Sequence, residues 1–241
     1  SLVWNDGTCF GYGRGDDPLA PPYMFRRDVD YCSGALLLTR KDLFDQLEGF
    51  DEVFSPAYYE ETDYCVRLWD AGYRVVYEPG AAILHYEFAS RSLDEASELQ
   101  ERNRGLFVNR NQARVDAFRA KGEANVLAAR TAGARRQRIL IIDDRVPHPY
   151  LGSGFPRAHR ILTRLVEWNN LVTVYPTAVI DEDWSQAYSD VPREAELMLH
   201  GSGGNLRKFL EERPNFYDVI LVSRPHNMEK LAPHLKQQPG W

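Results

Sequence analysis

The stretch from residue 58 to residue 85 constrains the fold of this chain more than any other. Near its start, acidic residues cluster where an amphipathic helical pattern begins. Tyr64, Leu68 and Ala71 share one face of that helix at spacings of four and three, and Gly72 ends it in a C-cap position. The acidic residues are Glu60, Glu61 and Asp63. The pattern predicts a helix whose N-terminus carries a concentrated negative charge.

A strand pattern follows this helix at once. A helix of about 11 residues rises about 16 Å, because each residue adds about 1.5 Å. A strand over residues 73–77 can return about the same distance, at about 3.3 Å per residue. The chain therefore comes back to the level of the acids, and the spacing permits His85 to lie near Glu60 and Glu61.

These residue types can carry chemistry together. A carboxylate at a helix N-terminus can act as a general base for a hydroxyl nucleophile. An imidazole such as that of His85 is a good ligand for Mn²⁺ or a similar ion, which stabilises a departing phosphate. A purely structural explanation stays open, since the helix dipole favours acids at positions such as Glu60 and Glu61. His85 also ends an apolar stretch, where a hydrogen-bonded core histidine is equally expected.

Composition narrows the class of protein. The 241 residues fit one large domain or two ordinary ones, and the net charge of −6 argues against a nucleic-acid partner. The longest apolar runs, at 35–38 and 139–142, are too short to span a bilayer. The cysteine number is odd and no Cys-x-x-Cys occurs, which favours reduced, buried thiols in the cytoplasm or at its membrane face. The three cysteines are Cys9, Cys32 and Cys65. Nothing in the composition predicts an oligomeric state.

The first half of the chain alternates loops with short periodic segments. Residues 1–31 are rich in Gly, Asp and Pro and predict a long loop, in which Asp28 and Asp30 are either metal-binding carboxylates or a solvated edge. Residues 31–38 predict a buried strand. A Ser-x-x-Glu capping box at 92–95 predicts the start of a helix with Ala96, Leu99, Leu106 and Phe107 facing inward.

The second half has a different pattern. Residues 120–137 are Ala-rich and basic and predict a linker. Beyond it, strand patterns alternate with helical ones, which predicts a parallel sheet with right-handed crossovers. The strand patterns cover 138–142, 171–175, 195–199 and 217–222, with helices from about Pro156, over 206–210 and near the end of the chain. We also expect the chain to be an internal piece of a longer polypeptide, since it starts Ser-Leu and stops soon after a helical pattern.

Residues 31–91 resemble the second half of the family-two glycosyltransferases that have the GT-A fold. The order and spacing of five short motifs agree with that family. They are Cys-Ser-Gly-Ala-Leu-Leu-Leu-Thr-Arg at 32–40, Gly-Phe-Asp-Glu at 49–52, Tyr-Glu-Glu-Thr-Asp-Tyr-Cys-Val-Arg at 59–67, Ala-Gly-Tyr-Arg-Val-Val-Tyr-Glu-Pro at 71–79 and Leu-His at 84–85.

The resemblance implies roles for single residues. Glu61, with Glu60 as its substitute, would be the general base that deprotonates an acceptor hydroxyl, and His85 would approach a divalent cation (Mg or Mn) and the diphosphate. Ser33, Gly34 and Asp63 would line the acceptor site. The chain departs from the family twice: position 61 is Glu rather than Asp, and the nucleotide-binding half with its Asp-x-Asp motif is absent, so we expect the fragment alone to be inactive.

The second half is similar to the N-terminal domain of GT-B-fold glycosyltransferases of the family-four type. The likeness rests on the strand beginning at Arg138, on the glycine-rich loop after it and on the following helix. It implies that this loop faces a glycan acceptor, through Gly152, Ser153, Gly154 and Arg157. A dinucleotide-binding loop is the alternative, but Arg157 occupies the place of its third glycine.

Together these patterns predict an α/β protein. Residues 1–132 would form the C-terminal half of a GT-A-like domain, and residues 133–241 a Rossmann-like parallel-sheet domain of GT-B type. The predicted function is metal-assisted, inverting transfer of a sugar from a nucleotide-sugar donor to a glycan hydroxyl. Two rivals stay open: a non-catalytic carbohydrate-binding or scaffold module, and a metal-dependent hydrolase that uses the same acids.

Overall fold

The chain forms two compact units, each with its own hydrophobic core. The computed structural model describes residues 1–85, 93–133, 136–152, 154–178, 181–199 and 205–235. Unit one comprises Ser1–Arg14 and Arg27–Gly133, and unit two comprises Gly15–Arg26 and Ala134–Trp241. Residues 15–26, which the sequence pattern assigns to the first domain, therefore belong to unit two.

Unit one combines short antiparallel strand pairs with helices. Its strands are β1 (Leu2–Val3), β2 (Cys9–Phe10), β3 (Arg27–Asp28) and β4 (Val76–Tyr77). Its helices are α1 (Lys41–Gln46), α2 (Glu60–Asp70), α3 (Leu93–Arg110), α4 (Gln112–Val115) and α5 (Glu123–Ala129). β1 pairs with β2, and β3 pairs with β4.

Helix α2 confirms the prediction made from its periodicity. It buries Tyr64, Cys65 and Leu68 in the core of unit one, whereas Ala71 is exposed. Gly72 follows the last helical turn with a φ of +81°, a left-handed conformation that glycine adopts at little cost. The amphipathic stripe and the terminal glycine therefore fix where this helix lies and where it ends.

The predicted buried strand over residues 31–38 is wrong. Gly34–Leu36 forms a turn of 3₁₀ helix instead, and the Ser33 hydroxyl caps it by accepting a hydrogen bond from the Ala35 N–H at 3.3 Å. Leu38 is 97% exposed. A buried strand needs neighbouring strands to satisfy its backbone groups, and no strand that the structure describes in unit one pairs with this segment.

The strand predicted over 73–77 is only partly formed. Val76–Tyr77 pairs with β3, and the residues on either side of it are irregular. The apolar residues that lead to His85 also form no strand and are exposed. Asp28 lies in β3, the partner strand of β4. It is buried in an ion pair with Arg74 at 2.7 Å rather than lying at a solvated edge.

Helix α3 confirms the helix predicted after the capping box, although Ser92 itself lies outside the described residues. Ala96 and Phe107 face the core and are buried, as predicted. Part of the predicted linker, Glu123–Ala129, is helical. None of the helices within the described ranges is long and apolar enough to cross a membrane.

Unit two is built on a four-stranded parallel sheet, as predicted from the alternation of strand and helix patterns. The strand order is β7-β6-β5-β8. Its strands are β5 (Arg138–Asp143), β6 (Leu171–Pro176), β7 (Glu196–Leu197) and β8 (Val219–Val222). Its helices are α6 (Phe155–Glu167), α7 (Trp184–Ala187), α8 (Leu206–Glu211) and α9 (Pro225–Leu235). The chain is therefore an α/β protein.

A buried ion pair joins strand β7 to the segment after α8. The guanidinium of Arg213 donates to both carboxylate oxygens of Glu196, at 2.9 and 3.0 Å, and the two side chains are only 7% and 3% exposed. Thr173 donates to the same carboxylate and Tyr217 accepts from the same guanidinium, each within 2.9 Å. Both charges are thus compensated inside the unit.

We predict that Glu196→Ala strongly destabilises unit two, because it leaves the Arg213 charge buried without its partner. Removing one member of a buried pair typically costs about 3–5 kcal/mol. The check is the hydrogen-exchange protection of amides in β5 and β6 as urea is raised. Glu211→Ala, whose pair with Arg207 is exposed, is the matched control and should leave protection almost unchanged; equal protection in the two variants would contradict the prediction.

Candidate active site at the N-terminus of helix α2

Helix α2 begins after two consecutive residues in the left-handed conformation. Tyr58 has a φ of 75° and Tyr59 a φ of 72°. Non-glycine residues avoid this region, and each such residue costs about 1–3 kcal/mol. Tyr59 occupies the N-cap position, where no side chain caps the helix. Strain of this kind concentrates at functional sites. The residues that follow, Glu60 and Glu61, are therefore candidates for a functional role.

Glu60 and Glu61 each bury an unsatisfied carboxylate oxygen. The Oε2 atom of each is inaccessible to solvent and has no hydrogen-bond partner among the described residues. Buried polar atoms in native proteins are nearly always partnered, so an exception calls for a reason such as a catalytic role. One oxygen of each carboxylate is therefore buried without a hydrogen-bond donor from the part of the chain that the structure describes.

Burial raises the pKa of Glu61 above its ordinary value, and the neighbouring carboxylate of Glu60 raises it further. Backbone N–H groups of Gly34 and of the first helical turn act in the opposite direction without cancelling the effect. A carboxylate whose pKa lies closer to neutrality is a better proton acceptor when it is ionised. The environment of Glu61 thus makes it a better base than an ordinary exposed glutamate.

The structure brings the predicted acceptor-site residue Gly34 to Glu61. A Cβ added at Gly34 would lie 3.8 Å from the Cβ of Glu61 and 3.9 Å from its Cδ. Ser33 and Gly34 are both exposed. A side chain at position 34 would therefore be in van der Waals contact with Glu61, which the glycine avoids.

Asp63 has a structural role and is not placed to contact an acceptor. Its side chain is fully buried. It accepts from the Nε atom of Arg67 at 2.8 Å and from the side chain of Asn111 at 3.2 Å. A carboxylate enclosed in this way cannot reach a sugar without breaking the ion pair.

His85 makes no direct contact with the acids that the described part of the chain records, and its predicted role as a metal ligand stays a prediction. It lies exposed in the irregular segment over residues 81–85, and no hydrogen bond or ion pair in the described part of the chain links it to Glu60 or Glu61. No group of three or more His, Cys, Asp and Glu side chains among the residues placed by the structure could hold a metal ion. The divalent cation thus stays a prediction from the sequence resemblance.

The residues predicted to line an acceptor site in the second half lie in unit two. Gly152 has a φ of +69° and Gly154 a φ of +96°, and Gly154 precedes helix α6 without a side-chain cap. Arg157 is exposed in the first turn of that helix. Ser153 lies outside the described residues. These residues share a loop and a helix start, and their predicted role stays a prediction.

No sequence motif identifies Asn103, although its side chain contacts the loop that leads to Glu60 and Glu61. It lies fully buried on α3 and donates to the backbone of residues 54–58. One signal was present, because Asn103 falls on the inward stripe of α3 between Leu99 and Phe107 at spacings of four. A polar residue on an apolar stripe is an indication of a buried hydrogen-bonding role.

Comparison with known proteins gives partial matches to sugar transferases. A Mycobacterium tuberculosis protein named N-acetylglucosaminyl-diphospho-decaprenol L-rhamnosyltransferase is 38% identical over 82 residues, or 34% of this chain and 26% of that protein. Rhamnosyltransferase WbbL of Escherichia coli (strain K12) is 40% identical over 58 residues, or 24% of this chain and 22% of that protein. The chain thus spans about a quarter of the length of these relatives. No family model matches the sequence, and no solved structure matches it.

These relatives support a glycosyltransferase role at a coarse level. They agree with the resemblance to family-two enzymes over about a third of the chain. The likeness of the second half to GT-B enzymes has no support from them and stays a prediction.

We predict that Glu61→Gln makes the protein relatively more stable as the pH rises. Since the folded-state pKa of Glu61 is raised, its contribution to stability is fully present below the pKa of an unfolded glutamate, about 4.3. That contribution is lost as the pH rises through the folded-state value. The variant carries no charge at this position, so its stability relative to the wild type should increase between pH 4 and pH 8.

The measurement is the urea midpoint of both proteins across this pH range. Glu98→Gln, on the exposed surface of α3, is the control and should track the wild type. A constant difference between Glu61→Gln and the wild type at every pH would count against the raised pKa.

Proposed function

We propose that unit one forms the acceptor side of a glycosyltransferase, in which Glu61 is the general base. The reaction would move a sugar from a nucleotide-sugar donor to a glycan hydroxyl with inversion at the sugar carbon. The observation that carries this proposal is the buried, unpartnered carboxylate oxygen of Glu61 beside the exposed Gly34. The partial similarity to rhamnosyltransferases supplies the class of reaction.

The proposed step balances in protons and electrons. The ionised carboxylate of Glu61 takes the proton of the acceptor hydroxyl as the acceptor oxygen forms its bond to the anomeric carbon. The bond from that carbon to the nucleoside diphosphate breaks, and its electron pair leaves with the diphosphate. The protonated Glu61 afterwards gives its proton to solvent, which restores the base.

The environment of Glu61 suits this task. Its partly desolvated carboxylate binds a proton more readily than an exposed one, because burial and the Glu60 charge both raise its pKa. An acceptor hydroxyl would approach beside the exposed Gly34, where no side chain stands in the way. Glu60 contributes through its charge and is the substitute base at the same helix start.

The finer points of the function rest on the relatives and on the family resemblance. The names of the relatives favour a deoxyhexose such as rhamnose as the transferred sugar. A divalent cation (Mg or Mn), a cytoplasmic location and an acceptor-binding role for unit two remain predictions from the sequence. None of the steps above depends on them.

We predict that Glu61→Gln in the full-length protein lowers kcat by about 10²–10⁴-fold, the usual contribution of a general base. The amide keeps the size of the side chain but cannot accept the proton. Turnover is measured as release of nucleoside diphosphate from a nucleotide sugar in the presence of acceptor glycan. Glu98→Gln is the matched control and should retain wild-type turnover.

Two results would count against this proposal. Turnover retained in Glu61→Gln would remove Glu61 from the role of base. Glycan binding by a wild-type full-length protein that never releases nucleoside diphosphate would favour the non-catalytic carbohydrate-binding module instead.

A further inference from the structure

Asn103 on helix α3 is bound to the loop that precedes α2. Its side-chain nitrogen lies 2.8 Å from the carbonyl oxygen of Phe54, 2.8 Å from that of Ala57 and 3.0 Å from that of Tyr58. All three partners are acceptors, so the NH₂ end of the amide faces them and its two N–H groups are shared among the three oxygens. Asn103 is fully buried, and its hydrogen bond to Phe54 is buried at both ends.

The other end of the Asn103 amide makes no hydrogen bond among the described residues. Its own oxygen, Oδ1, is buried without a partner among the described residues. A buried acceptor left unsatisfied destabilises a protein. Asn103 is thus arranged to hold the three carbonyls rather than to maximise its own hydrogen bonding.

A second set of contacts from α3 holds the next residue, Tyr59. The hydroxyl of Tyr59 donates to the carbonyl oxygen of Gly7 at 2.9 Å, and its ring lies 5.4 Å from that of Phe107. Gly7 is itself pressed against α3, because a Cβ there would lie 2.3 Å from Val108. The two left-handed tyrosines are consequently held from both sides by packing outside their own helix.

The first turn of α2 depends on this support. The N–H of Asp63 donates to the carbonyl oxygen of Tyr59 at 2.8 Å, so the helical ladder begins at a strained residue. Tyr59 has no side-chain cap to hold it there. If Tyr58 and Tyr59 relaxed to the ordinary β region, the backbone would rotate at the step that leads directly into Glu60 and Glu61.

We propose that Asn103 is a positioning residue for Glu61. Its amide clamps the three carbonyls of residues 54–58, keeps Tyr58 and Tyr59 left-handed, and thereby directs Glu61 into its buried setting against Gly34. The effect on turnover rests on the proposed function, whereas the effect on the environment of Glu61 does not.

The experiment is a double-mutant cycle between Asn103 and Glu61. Its readout is the pH dependence of stability. Urea midpoints between pH 4 and pH 8 are measured for the wild type, Glu61→Gln, Asn103→Ser and the double variant. In the wild-type background, the stability of Glu61→Gln relative to its parent increases as the pH rises. In the Asn103→Ser background we expect that pH-dependent gain to fall by at least half, because Glu61 becomes solvated.

Two controls separate positioning from general destabilisation. Val115→Ala removes buried core volume of unit one without removing a hydrogen bond to this loop, and the full pH-dependent gain in stability should persist in its background. Arg102→Ala removes contacts from the same helix to the carbonyls of Ser55 and Val53 and should also leave the gain intact. A full gain in the Asn103→Ser background, or an equal loss in all three backgrounds, would overturn the inference.

Serine is used because its hydroxyl can still donate to one carbonyl and so retains part of the clamp. Should Asn103→Ser fail to fold while Val115→Ala folds, the inference would also be overturned, since Asn103 would then be needed for the fold rather than for the position of Glu61.

A kinetic measurement distinguishes this inference from the proposed function. In the full-length enzyme we expect Asn103→Ser to lower kcat more than it changes KM, and to move the acid limb of the pH–rate profile to lower pH. If the proposed function is wrong, Glu61→Gln retains turnover although the stability cycle still shows coupling. If only the positioning is wrong, Glu61→Gln loses turnover and the cycle shows no coupling.

Discussion

The buried ion pair between Asp63 and Arg67 is the interaction on which the geometry of the candidate site depends. Asp63 is fully buried one turn after the acids, and Arg67 lies 2.8 Å from it on the next turn. The same guanidinium donates to the carbonyl oxygens of Leu47 and Gly49 in the turn after α1. Burying a carboxylate is costly unless it is paired and hydrogen-bonded, and here both conditions hold. Helix α2 is therefore fixed both in rotation and in depth.

The Asp63–Arg67 ion pair and the left-handed tyrosines fix the chain on either side of Glu60 and Glu61. The pair holds the body of α2 against the core, and contacts from α3 hold the chain just before it. Glu60 and Glu61 lie between these two anchors, so their carboxylates stay partly buried although no side chain caps the helix. A site that keeps unsatisfied acceptors and a raised pKa needs such support from its surroundings, since its local interactions do not favour it.

The two units differ in what they contribute to an account of function. Unit one contains the acids and Gly34, whose arrangement supports a base-assisted transfer. Unit two has a four-stranded parallel sheet and a buried Glu196–Arg213 pair, but its predicted acceptor residues are a loop and an exposed arginine. Chemistry resides in sites rather than in folds, so the sheet alone assigns no activity to unit two.

The sequence by itself determined the elements whose signals are local. The apolar stripe and Gly72 predicted α2, and the alternation of strand and helix patterns predicted the parallel sheet of unit two. The acids were also found from sequence, because helix starts and motif spacing are readable along the chain. Only the tertiary structure decided the surroundings of these residues: it buried Asp63 in an ion pair, left His85 exposed, and gave the apolar run ending at Leu38 a turn of 3₁₀ helix instead of a strand. The physical reason is that burial, strain and hydrogen-bond satisfaction depend on neighbours distant in sequence, such as Asn103, and no local pattern specifies them.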